Sequence, residues 1–126
     1  MSPALLALAL LLAATAACAE LPSASEAAVS QALASGRPAL IDLGSRACNA
    51  CKEMAPVLEA LAAEYRGKAA VLFIDVREDR AAGGRFRVQM IPTQIFFDAK
   101  GKEVKRHVGF MDREQIVREL QALGVK

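Results

Sequence analysis

This chain is poor in metal-ligating side chains: 126 residues carry one histidine and three cysteines. A structural zinc needs four donors, commonly two cysteine pairs or a pair plus two histidines. Cys48 and Cys51 form one pair, and outside it the chain offers only Cys18 and His107, so a zinc site is not expected. Charge of one sign is also scarce. Sixteen basic residues against fourteen acidic ones leave a formal net charge of +2, and the modest concentration at Lys100, Lys102, Lys105 and Arg106 reads as the solvated edge of a hairpin. Nucleic acid is therefore not an expected partner.

No charged side chain occurs before Glu20. Leu5 to Ala14 is an unbroken Leu/Ala run, too short for a membrane span, and it leads to Ala17-Cys18-Ala19, the small-x-small pattern of a cleavage site. The expected organisation is a secretory signal over residues 1–19 and a domain over residues 20–126. An uncleaved N-terminal anchor is the alternative. Cleavage after Ala19 discards Cys18, whereas cleavage before it leaves an N-terminal cysteine like that of an acylated lipoprotein. Thr15 stands where such signals favour a bulky aliphatic residue, which argues for the first route. Export implies an extracytoplasmic, in bacteria periplasmic, location.

What the chain does have is Cys48-Asn49-Ala50-Cys51, followed at once by Lys52. Two residues between the cysteines at the start of a helix bring the sulfurs within disulfide reach. Backbone N–H groups and the helix dipole favour a thiolate at Cys48, while Cys51 lies one turn deeper. Cys48 is the candidate nucleophile, and Cys51 the candidate resolving thiol. Redox use is the reading that the ligand count favours over metal carriage.

The length and the 54% hydrophobic content suit one domain with one core. Ser23 or Ser25 caps a first helix that stops at Gly36. Ala39-Leu40-Ile41-Asp42-Leu43 is a buried central strand broken by one acid. Helical spacing runs from Cys48 or Asn49 to Tyr65 with Pro56 inside it, where a lost backbone hydrogen bond predicts a kink. Ala69 to Val76 is again strand, and Arg77 to Arg87 a loop with a short helix ending near Phe86. Thr93–Phe97 and Lys102–Val108 form a hairpin around Asp98-Ala99-Lys100-Gly101, with Glu103, Lys105 and His107 on its polar face. Asp112 and Gln115 make a capping-box start for a last helix that buries Ile116, Val117, Leu120 and Leu123. The order is αβαβ(α)ββα, with parallel strands first and an antiparallel hairpin closing the sheet.

On these residues the chain resembles the thioredoxin family over nearly all of residues 20–126. Asp42 precedes the first cysteine at the family's spacing, Cys48-x-x-Cys51-Lys52 follows, and Met54-Ala55-Pro56, Ile91-Pro92-Thr93 and Val108-Gly109 match its other segments. The resemblance implies an α/β thioredoxin fold, a central mixed sheet flanked by helices, with the dithiol facing a cis Ile91–Pro92 bond. There the exposed backbone of Ile91 would pair with a substrate strand and Pro92 would deny a metal access. Gly109 would complete the substrate-binding surface. Asp42 would lie desolvated under the dithiol, its pKa raised toward neutrality, and take the proton from Cys51. The departures are Ala47 for the family's tryptophan, Asn49-Ala50 for its Gly-Pro, and Val71 for the lysine that neighbours the buried acid. With Lys52, Asn49 and Ala50 are the residues that tune the couple, for which the range of about −270 to −120 mV is the fair bound.

The function so implied is thiol-disulfide exchange with no cofactor beyond the redox-active Cys48–Cys51 pair. The expected activity is reduction of disulfides in exported proteins by a monomer recharged through a membrane thiol electron donor. A disulfide oxidase or isomerase uses the same residues with a more strongly stabilised Cys48 thiolate. A Cu(I)-binding carrier, with Met54 or Met90 assisting the two sulfurs, is the reading from a different class.

Overall fold

The structure, a computed structural model, describes residues 20–126; the proposed signal and Cys18 lie outside them. The elements run α1 Glu26–Leu33, β1 Ala39–Gly44, α2 Asn49–Glu64, β2 Ala70–Asp75, α3 Arg80–Arg85, β3 Thr93–Phe97, β4 Glu103–Val108 and α4 Arg113–Ala122. The sheet order is β2-β1-β3-β4, with β1 parallel to β2 and antiparallel to β3, and β4 antiparallel to β3. This is the expected mixed sheet.

All six residues of β1 are buried, as a strand covered on both faces requires. Its side chains alternate between two cores. Leu40 joins Met54, Leu58 and Leu61 of α2 with Ile116 and Leu120 of α4. Ile41 and Leu43 join Val29 of α1 and Ala82 of α3 on the opposite face. Asp42 and Gly44 share the first face, and they alone on β1 leave room there for a polar site.

Local rules account for the helix ends. Ser25, not Ser23, caps α1, accepting the Ala28 N–H; Ser23 instead accepts the Asp75 N–H at 2.9 Å. Asp112 and Gln115 complete their capping box. The hairpin turn needs Gly101, whose φ is +78° and where a Cβ would stand 2.6 Å from the Leu33 carbonyl oxygen. Pro56 lies inside α2 and cannot donate to the Lys52 carbonyl one turn back.

The expected polarity of β4 holds only in part: Glu103 and Lys105 are exposed, but so are the two valines. Val104 and Val108 are exposed, at 48% and 52%, while His107 is half-buried against Gln94. The face holding Lys105 and His107 is the one that α4 covers, since Lys105 pairs with Glu119 of that helix. An edge strand has only a rim of helix over its inner face, so a long polar side chain reaches a partner there that an aliphatic one would not supply.

Candidate active site

The site is built at the carboxyl end of β1, where the chain turns into α2. Ser45 is buried and folds the turn on itself: its hydroxyl oxygen accepts the Ala47 N–H at 3.2 Å and its carbonyl the Cys48 N–H at 3.2 Å. That turn delivers Cys48 to the N-cap of α2, where its sulfur accepts the Cys51 N–H at 3.3 Å. Both thiols are free; Cys48 is half-buried and Cys51 is buried. The expected asymmetry between an accessible and a sheltered sulfur is present.

Burial pushes the Cys51 thiol up to about 12, helped by its hydrogen bond to Cys48 and the negative charges of Cys48 and Asp42, and opposed by a backbone contact from Ser45. A thiol held protonated so firmly needs a base. Asp42 is fully buried on the same face of β1. Desolvation raises its carboxyl from 3.8 to about 6, against the lowering effect of one hydrogen bond from Gln94. Its second oxygen, Oδ2, has no hydrogen-bond partner among the described residues. Gly44 makes the approach possible, because a Cβ there would lie 2.9 Å from the Cys51 sulfur.

The Ile91–Pro92 bond is cis, with Pro92 buried and Ile91 half-buried. The Pro92 carbonyl accepts the Gly109 N–H at 2.8 Å, and Gly109 has φ +101°, a conformation that favours glycine. Met90, Val108 and Phe110, next in the chain to these segments, are exposed by 66%, 52% and 43%. Asn49 and Lys52 are exposed and Ala50 half-buried at the first turn of α2.

Two residues escaped the sequence reading. Gln94 lies opposite Asp42 in the β1–β3 register, which was the available signal; on the other side of β1 it is Phe73, not Val71, that stands opposite Asp42, Val71 being paired with Leu40. Asp75 ends β2 and ties the redox turn down, accepting N–H bonds from Arg46, Arg77 and Glu78 at 3.1, 2.8 and 3.2 Å. Although burial pushes its carboxyl up, those donors and the Arg46 charge hold it below the usual carboxylate range.

The neighbours of the dithiol are engaged elsewhere. The Arg46 guanidinium, two residues before Cys48, lies over the Phe73 ring at 5.1 Å and is bound by Glu20, the Leu21 carbonyl and Glu78. Met54 cannot serve as a third copper ligand, since it is fully buried and its sulfur accepts the Met111 N–H at 3.3 Å.

Comparison with known proteins agrees with this geometry. The Thioredoxin family model matches residues 21–122. The thioredoxin of Staphylococcus aureus (strain MW2) is 42% identical over 81 residues, 64% of this chain and 77% of that protein. Chloroplastic thioredoxin z is similar in structure with a TM-score of 0.72 at 27% identity, over 84% of this chain and 96% of that one. A mutant thioredoxin from Halobacterium salinarum NRC-1 gives 0.71 at 26% identity, over 82% and 88%. The chain belongs to the thioredoxin family, and its Cys48–Cys51 pair is that of a thiol-disulfide oxidoreductase.

Proposed function

We propose that this oxidoreductase is exported through residues 1–19 and reduces disulfides of extracytoplasmic proteins, drawing electrons from a thiol carrier in the membrane. The Cys48 thiolate attacks a substrate disulfide, forming a mixed disulfide and releasing one substrate thiolate. Cys51 then gives its proton to Asp42 and attacks Cys48; the Cys48–Cys51 bond forms, the mixed bond breaks, and the second substrate thiolate leaves to be protonated from solvent. The substrate gains two electrons and the dithiol loses two. The exposed apolar side chains of Met90, Val108 and Phe110 suit a protein substrate, taking over contact area that Ala47 does not supply.

The observation that carries the reductive direction is the diversion of Arg46. Its guanidinium is bound to Glu20 and Glu78, so the Cys48 sulfur has the Cys51 backbone N–H as its hydrogen-bond donor among the described residues. Strong oxidants of this kind owe their potential to a heavily stabilised reduced form; withholding a cation from the thiolate favours the reductant. Trapping tests the roles. Cys51→Ser should accumulate mixed disulfides with protein substrates through Cys48, and Cys48→Ser almost none. Equal trapping by both variants refutes the assignment. A measured potential near the oxidising end of the family range, or insulin disulfides left intact while Cu(I) is retained through gel filtration, refutes the reductase reading.

A further inference from the structure

Three polar side chains stand in one row across the sheet. Asp42 on β1 lies opposite Gln94 on β3, and Gln94 opposite His107 on β4. Gln94 Nε2 donates to Asp42 Oδ1 at 2.9 Å, and Gln94 Oε1 lies 2.7 Å from His107 Nδ1. An amide oxygen only accepts, so the imidazole presents an N–H at Nδ1, in either its neutral or its charged form. That donor fixes the polarity of the whole row. With its oxygen held by His107, the Gln94 amide must turn its NH2 toward Asp42, where a donor favours the ionised carboxyl. Released from His107, the same amide is free to turn its oxygen to Asp42 and accept a hydrogen bond from the acid form.

We propose that His107, acting through Gln94, sets the proton affinity of Asp42 and with it the pH at which Cys51 is activated. The proposal rests on the reading of Asp42 as the base for Cys51. Both Asp42 and Gln94 have no exposed surface, so water cannot replace the amide, and Oδ2 is left as the oxygen that receives the proton. The charged groups around the row are paired elsewhere: Lys105, on the same face of β4, with Glu119 of α4, and Arg113 of α4 with Glu64 of α2. Asp112 caps α4 through the Gln115 N–H. From α2, Cys51 is the titratable group that senses the Asp42 charge. Among the described residues, Gln94 is the one hydrogen-bonded partner of the Asp42 carboxyl.

A chromogenic aromatic disulfide reports both chemical steps, with one coloured thiolate released when Cys48 attacks and a second when Cys51 resolves. The second release should rise with pH through the Asp42 titration. In Gln94→Leu its midpoint should move upward by about one pH unit, because the donor to the carboxylate is gone. His107→Phe should move it in the same direction by less, and His107→Asn, which keeps an N–H donor, should restore the parent midpoint. The carboxyl carbon of Asp42, followed by NMR in the full chain, should show the same shifts. A parent midpoint in His107→Phe overturns the proposal even where Gln94→Leu is shifted, and parent midpoints in both leave the row as packing. Should Asp42→Asn leave the second release unchanged, the base reading fails, and the NMR titration of Gln94→Leu and His107→Phe still decides what sets the proton affinity of Asp42.

Discussion

Asp42 is costly where it stands. Its folded carboxyl is raised from 3.8 to about 6, so between those values the folded state holds a proton that the unfolded chain has lost. Stability from this group is therefore fully present below 3.8 and declines as pH rises through about 6, by on the order of 3 kcal/mol. Asp42→Asn should escape that loss: urea midpoints of variant and parent should diverge across this window, with the variant the more stable on the alkaline side, while resolution by Cys51 slows. Parallel curves would mean that the carboxyl is not desolvated. Gly44 poses the complementary constraint. A methyl group 2.9 Å from the Cys51 sulfur must displace it, so Gly44→Ala should slow the resolving step at least tenfold, a cost of about 1.4 kcal/mol in the barrier, while alkylation of Cys48 by iodoacetamide stays near the parent rate.

Among the elements, those governed by local rules were readable in the sequence. The capping box of α4, the proline inside α2 and the unbroken apolar run of β1 each announce themselves within a few residues. Contacts between distant segments did not. Gln94 and Asp42 are 52 positions apart, and nothing in the alternation of Thr93–Phe97 says which of its polar residues will meet a buried acid. His107 was read by period alone, which gives two faces of β4 but not which one the helices cover. Asp75 is the clearest case of an acid whose strand was evident and whose task was not. It anchors the redox turn through backbone donors on both sides of the sheet end. Because its folded carboxyl is held low, its stabilisation is present above the unfolded value and lost as pH falls through and below it. Asp75→Asn should cost about 2 kcal/mol at neutral pH and much less in acid, as urea unfolding at the two conditions would show.

For the whole molecule, the fold and its dithiol were legible because the family's motifs lie at five separated places along the chain; the apolar rim of Met90, Val108 and Phe110 was not, since it is assembled from two separate segments. The fate of residues 1–19 rests on their composition. Secreted from a bacterial host, the protein should have the intact mass of a chain beginning at Glu20; a lipid adduct on Cys18, or a full-length species in the membrane fraction, would overturn that expectation. The clasp on Arg46 gives this boundary a mechanical meaning. Glu20 and the Leu21 carbonyl hold the guanidinium of a residue two places before Cys48, so the start of the domain and the nucleophilic loop are one lever. A newly made amino terminus would arrive beside that guanidinium, adding a positive charge where Arg46 already competes for Glu20. A chain still tethered there would instead keep its nucleophilic loop close to whatever holds it, with its reach set by the tether and not by diffusion.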